Sequence, residues 1–205
     1  TYDMTDSAGV ATGNFITYSR SQNGGESFDI IDRLLPEIGP EFYTNFGPDT
    51  YAMDVKGNTV AFVLGDAWTD VILMKSTDNG TTWTKTIVKE HPIPMWTDSV
   101  IVNSLNYPEY NGRIESTDRS FSISLDNDGN AHIFYGLMKY SNSNDPNDEI
   151  GTYTYYYTTD GLAYWNEISK TEQEITYVQD LNSNDTLDIQ IDDKGNYRIA
   201  KYEKS

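Results

Sequence analysis

The carboxylates of this chain come first among the residues whose types and spacing could do chemistry. The stretch STDNGTTW sets Ser76, Asp78, Gly80 and Trp83 at fixed intervals, and an Asp framed by hydroxyls suits acid–base work or metal binding. Two acidic loops raise a calcium question. LDNDGN (125–130) brings Asp126 and Asp128 together, and DLNSND (180–185) has Asp180, Asn182 and Asn184 at alternate positions. Calcium needs several hard oxygens. The second loop holds Asp185 where a calcium loop has Gly, and Ile191 where it has its closing Glu. Solvated turns fit both stretches, and a hairpin tip fits SNSNDPNDEIG (141–151), so no metal site or cofactor is assigned, with calcium as the alternative. His91 and His132 are the only histidines and form no Ser-His-Asp or His-His arrangement. His132 follows Gly-Asn in a strand-like run, which suits a packed or edge position, and His91 lies in the Pro-rich EHPIPMW.

Aromatic residues supply the other candidates. The link 90–118 is long for a plain connection, and such loops tend to carry function. It holds Trp96, Tyr107 and Tyr110 with Asp98, Asn103, Glu109 and Arg113, a set suited to stacking on sugar rings and pairing with hydroxyls. Packing of the same link on the rim of the fold is the alternative. Trp68, in GDAWTD, is either an exposed ring or a core plug.

The elements that position these residues read as strands. A Gly-Asn turn between alternating apolar runs recurs at YAMDVKGNTVAFVLG (51–65), SISLDNDGNAHIFYG (122–136) and LDIQIDDKGNYRIAKY (187–202); Gly and Asn tolerate the positive φ of tight hairpins. The Ser/Asp motif also recurs. Ser21, Asn23, Gly25 and Phe28 of SQNGGESF match Ser76, Asp78, Gly80 and Trp83, and TTDGLAYW offers a looser copy in Thr158, Asp160 and Trp165, with Gly161 one position early. The two repeats interleave. Strands are expected at 51–56, 59–65, 70–76 and 83–89, and at 119–126, 131–138, 151–158 and 164–169. Further strands are expected at 14–20 and 28–34, and at 186–192 and 196–203. No long run has a 3.6-residue apolar period. The expected class is all-β: a partial β-propeller with full blades at 51–89 and 119–169 and half blades at about 10–35 and 186–203. Propellers close with more blades than this, so the chain is expected to be one segment of a longer protein.

The Ser/Asp motif can be explained without catalysis. The Asp78 carboxylate can accept backbone N–H groups of the following turn, Gly80 supplies positive φ, and Trp83 drops its ring between layers. This motif resembles the Asp-box of sialidase-type and BNR-repeat propellers, with near-complete copies at 21–28 and 76–83. The resemblance implies strand-three-to-four hairpins away from the ligand face, hence a structural role for Asp78, Asn23 and Asp160. Residues 51–168 also look like Asp-box propellers in exported proteins of Bacteroidetes, which implies type IX secretion and a secreted or cell-surface location, with contact to the secretion machinery.

The formal net charge of −18 argues against a nucleic-acid partner, because phosphates are repelled. The absence of Cys excludes a disulfide framework, and no run of about 18 apolar residues spans a membrane. The first ten residues lack the basic and apolar regions of a signal peptide. A sialidase-type glycoside hydrolase is the enzymatic alternative, but that chemistry needs an Arg cluster and a Tyr nucleophile. The chain has five Arg (20, 33, 113, 119 and 198), and GRIE (112–115) holds Glu115 where the family's Arg-Ile-Pro signature has Pro. The leading expectation is a non-catalytic module that binds a glycan or protein ligand or serves a structural role, with Trp96, Tyr107, Tyr110 and Arg113 as ligand contacts.

Overall fold

The computed structural model describes residues 2–5, 11–93, 95–97, 99–142, 154–177, 190–191, 197–198 and 201–202. Among them there is no α-helix. The strands in chain order are β1 (Tyr2–Thr5), β2 (Ala11–Phe15), β3 (Thr17–Arg20), β4 (Ile30–Leu34), β5 (Tyr51–Lys56), β6 (Thr59–Leu64), β7 (Val71–Ser76), β8 (Thr84–Lys89), β9 (Ile114–Leu125), β10 (Ala131–Ser141), β11 (Thr154–Asn166), β12 (Glu172–Tyr177), β13 (Gln190–Ile191), β14 (Tyr197–Arg198) and β15 (Lys201–Tyr202). They form antiparallel sheets: β5–β6–β7–β8, then β9–β10–β11–β12 with β15 added beside β12, and three separate pairs, β1–β2, β3–β4 and β13–β14. None of these sheets closes on itself.

The meander expected at 51–89 is present strand for strand. Its first hairpin turns on Gly57 (φ +59) and Asn58, directly between the paired Lys56 and Thr59. The second meander differs from the expectation. Its strands cover 114–177 rather than 119–169, and the predicted turn at 158–165 is absent, because residues 154–166 form one strand. The turn-like residues of TTDG sit in a bulge instead. Leu137 pairs with Gly161 and Lys139 with Tyr156, so residues 157–160 face a single residue of β10. Flanking β-formers carry the strand through, and the turn signal is spent on the bulge. The fourth strand is EQEITY, an exposed strand whose Glu and Gln disguise its β character, with β15 beside only its last two residues. Of the third expected hairpin, Gln190–Ile191 pair with Tyr197–Arg198, and its Gly195-Asn196 turn lies outside the described residues.

The sheets pack face to face. Sheet β5–β8 is the middle layer, and all four residues Val71–Met74 of β7 are buried. A strand covered on both faces reads as a continuous apolar run, and VILM is one. One face lays Ala61, Val63, Val71, Leu73 and Val88 on Ile123, Leu125, Ile133, Tyr135 and Trp165 of the next sheet. The opposite face lays Leu64, Ile72 and Met74 on Phe15, Ile16, Leu35, Ile38, Tyr43 and Phe46. Polar bonds fix the spacing between layers: Leu125 N donates to Asp54 Oδ2 at 2.7 Å, and Lys75 Nζ meets Glu167 Oε2 at 2.7 Å.

Strand direction sends connections to two ends. The turns at 57–58, 77–83 and 126–130 share one end, where Asn79 N donates to Asn58 O (2.8 Å) and Lys56 Nζ to Asn127 Oδ1 (2.8 Å). The links 35–50, 65–70 and 90–113 lie at the other. There Trp68, Ile93, Trp96, Val102, Ile114 and Tyr140 form a separate apolar cluster.

Trp165 is the largest fully buried side chain between the two large sheets. Trp165→Ala should lower unfolding free energy by about 3–5 kcal/mol, read as an earlier urea midpoint.

Candidate functional site

The two Ser/Asp turns share a core of bonds, in which the serine hydroxyl bridges the Asp or Asn oxygen and the glycine N–H. In the second, Ser76 Oγ donates to Asp78 Oδ1 (2.7 Å) and accepts Gly80 N (2.8 Å). Asp78 Oδ1 also accepts Thr81 N (3.0 Å) and Thr82 N (2.8 Å), and Oδ2 accepts Thr82 Oγ1 (2.7 Å). Asn79 and Gly80 both take positive φ, +57 and +78. In the first copy, Ser21 Oγ donates to Asn23 Oδ1 (2.9 Å) and accepts Gly25 N (2.8 Å), while Ser27 N donates to Asn23 Oδ1 (2.9 Å). Gly24 and Gly25 supply the positive φ there. The Thr82 backbone and hydroxyl, then Ser76, hold the Asp78 pKa well below the usual carboxylate range. The bonds to its own turn stabilise the Asp78 carboxylate as an acceptor and make it a weak base.

These turns also join neighbouring layers. Arg20 pairs with Asp29 (2.5 Å) and donates to Asn79 O (2.7 Å) and Thr81 Oγ1 (3.0 Å) of the next turn, and Tyr18 OH donates to Gly80 O (3.1 Å). Trp83 packs its ring between Tyr18 and Phe62, each centroid 5.3 Å away, whereas its counterpart Phe28 is 51% exposed. The third expected copy contributes only Trp165 to the described side chains, as a core residue of β11. The Thr158 and Asp160 side chains lie outside the described residues, as do Asp98 and the stretches 143–153 and 180–185.

The first acidic loop is likewise a turn staple. Asp126 Oδ1 accepts Asp128 N (2.9 Å) and Asn130 N (2.8 Å), and Oδ2 accepts Asn130 Nδ2 (3.0 Å). The Asn130 side chain and backbone lead in holding the Asp126 pKa down to about 2. His132 sits half-buried beside it, its Nδ1 2.6 Å from Tyr164 OH.

At the link end, Trp96 is 8% exposed and stacks on Trp68 (4.3 Å, 10° between planes), so it is a core ring and not a sugar platform. Tyr107 packs against the same cluster. Two aspartates of GDAWTD anchor the links: Asp66 Oδ2 accepts Gly47 N (2.6 Å), while Asp70 accepts Tyr43 OH (2.6 Å) and His91 N (2.7 Å). Burial pushes the pKa of His91 down, which leaves a neutral imidazole whose Nδ1 accepts Ile93 N (3.1 Å).

Tyr110 and Arg113 do come together. A 3₁₀ turn at Pro108–Tyr110 closes through Asn111 at φ +52, and Arg113 N donates to Tyr110 O (3.0 Å). This places both residues on an open groove of about 620 Å³, together with Lys89, Glu109, Glu115 and Lys139. Lys89 and Glu115 lie at the ends of β8 and β9, and Lys139 near the end of β10, places where spacing along the chain gives no hint of their convergence. Lys89 Nζ lies 3.1 Å from both Glu115 and Glu172. Burial of Lys89 opposes its charge, and the two glutamates outweigh that and raise its pKa. Cations, carboxylates and a half-exposed Tyr ring can hold a polyhydroxylated or polar ligand. Among the described residues no His/Cys/Asp/Glu group has metal-site geometry.

Asp78→Ala should lower the melting temperature and leave the groove intact, checked by thermal melts beside amide chemical shifts of Tyr110–Arg113. Acid should act through the staples. The folded Asp126 pKa, about 2, lies below the unfolded value of about 3.9, so its contribution is full above pH 4 and fades as pH falls toward 2. Asp126→Asn should therefore show a shallower loss of melting temperature across that window. Compared with known proteins, the chain matches no family model, no curated protein and no solved structure.

Proposed function

We propose that this chain is an exported, non-catalytic Asp-box propeller segment, a binding module that seats a glycan or protein ligand in the groove at its link end. The observation that carries this reading is a division of labour between the two strand ends. One end holds two Ser/Asp turns whose side chains bond their own backbone, and the other holds an open groove with Tyr110, Arg113, Lys89 and Lys139. Face-to-face packing of consecutive meanders supports the order of propeller blades, each meander being one blade. Export, a cell-surface or secreted location and a type IX route rest on the resemblance of the repeats. The acidity of the chain supports a partner other than nucleic acid.

The hydrolase alternative meets a specific obstacle. A Tyr–carboxylate pair is present, with Tyr135 OH donating to Glu172. Tyr135 is 1% exposed, and burial followed by the Glu172 bond raises its pKa, the reverse of what a nucleophilic phenol needs.

Tyr110→Ala and Arg113→Ala change exposed side chains. On a glycan array and against candidate surface proteins, each should weaken the parent's strongest signal by 10-fold or more, with melting unchanged. A signal that survives both substitutions and vanishes in a folded Asp78→Ala variant would contradict the assignment.

A further inference from the structure

The outer face of the five-stranded sheet carries a chain of polar contacts that the groove does not use. Ile133 and Tyr135 of β10 point into the core, so His132 and Phe134 between and beside them point outward. Register sets His132 between Ser124 of β9 and Asn166 of β11. Phe134 lies between Ser122 and Tyr164, and Tyr164 in turn faces Gln173 of β12. The Tyr164 ring is nearly parallel to the His132 imidazole (16°, centroids 6.0 Å apart) and 4.9 Å from the Phe134 ring. His132 Nδ1 is 2.6 Å from Tyr164 OH, and His132 Nε2 is 3.5 Å from Asp126 Oδ2.

These contacts fix where the protons sit. The Asp126 carboxylate, kept ionised first by the Asn130 side chain, only accepts, so the imidazole turns its N–H toward it at Nε2. Nδ1 is then a bare lone pair, and the Tyr164 hydroxyl donates to it. Carboxylate, imidazole and phenol thus stand in order, with a base held in one tautomer against a hydroxyl.

Two reactions could use this order, and the surroundings separate them. A nucleophilic phenolate is an anion, and it needs a cation or several donors around its oxygen. The cross-strand neighbours Ser122, Phe134, Asn166 and Gln173 are all uncharged, and the one charge among these residues is another anion, Asp126. Loss of an electron together with the proton leaves a neutral phenoxyl radical, which an uncharged setting tolerates. It also leaves a His132 imidazolium, which the Asp126 carboxylate stabilises. Other described phenols lack part of this arrangement. Tyr43 and Tyr135 are buried and donate to the carboxylates of Asp70 and Glu172, weaker bases than an imidazole. Tyr18 and Tyr140 donate to backbone carbonyls, which take up no proton.

We propose that Tyr164 is a redox-active tyrosine, which gives one electron to an external one-electron oxidant while His132 takes its proton. The oxidant is of the class of high-potential metal complexes or the ferryl haem of a peroxidase, and it is reduced by one electron. The Tyr164 O–H bond breaks as that electron leaves, and the proton passes to His132 Nδ1. An outside one-electron reductant such as ascorbate restores the phenol, and the proton returns along the same bond.

Stopped-flow mixing of the whole chain with an equimolar amount of hexachloroiridate(IV), near neutral pH, follows the loss of the oxidant's visible absorbance. A fast phase is expected, with a tyrosyl radical in freeze-quenched electron paramagnetic resonance, and the phase should be slower in D2O because proton and electron move together. Tyr164→Phe, which keeps the ring on Phe134, should abolish the fast phase. His132→Gln keeps an acceptor and loses the base, and should slow it by about 10-fold or more. Asp126→Asn removes the charge behind the imidazole and should slow it in the same direction, which serves where His132→Gln does not fold. Tyr51→Phe removes a phenol that is 46% exposed, more than Tyr164, and should leave the phase unchanged. A fast phase that persists in Tyr164→Phe, that is equally fast in folded His132→Gln or Asp126→Asn, or that shows no isotope effect overturns the proposal.

Discussion

The structure depends on the burial of one strand, β7, on both of its faces. Val71, Ile72, Leu73 and Met74 alternate between two neighbours, and each contributes roughly 1.5–3 kcal/mol by leaving water. A strand of this kind cannot serve a single-layered sheet. It requires one partner layer on each side, which is why the meander at 51–89 sits in the middle of a stack. The flanking strands grade outward from this demand: β6 is largely buried, and the exposed side of β5 marks where cover stops.

Stacking in turn sorts the connections. Antiparallel meanders alternate direction, so tight turns collect at one end and long links at the other. At the turn end, side chains replace sheet partners for the backbone: Ser76, Asp78, Asn23 and Asp126 accept the N–H groups that a sharp reversal leaves unpaired. Arg20 and Lys75 reach from one layer to the next at that end and fix how the layers align. At the link end the chain wanders farther and needs its own core, built from the Trp68–Trp96 stack and tied down by Asp66 and Asp70. The described groove lies at this end, beside Tyr110 and Arg113.

Much of this was legible in the residues. The alternating runs around Gly57-Asn58 and the recurrence of Ser-x-Asp/Asn-x-Gly marked hairpins and turns, because those signals are local and each has one physical use. Thr158-Thr159-Asp160-Gly161 failed for the same reason in reverse: a bulge and a turn want the same residues, and only the pairing of β10 with β11 decides between them. EQEITY hid as a strand whose exposed positions tolerate Glu. The groove was half visible. Tyr110 and Arg113 lie close in sequence, whereas Lys89, Glu115 and Lys139 converge only through strand register. Trp96 shows the limit of reading an aromatic in a loop, since nothing local says whether its ring faces water or Trp68.

Native-state amide hydrogen exchange tests the central claim, that sheet β5–β8 is a middle layer gripped on both faces. The amides of Val71–Met74 should exchange in the slowest class, together with those of Ile133 and Tyr135, and more slowly than those of the exposed strand β12. Exchange of Val71–Met74 at the rate of β12, or well ahead of Ile133, would show that the stack parts readily beside β7 and would contradict the account.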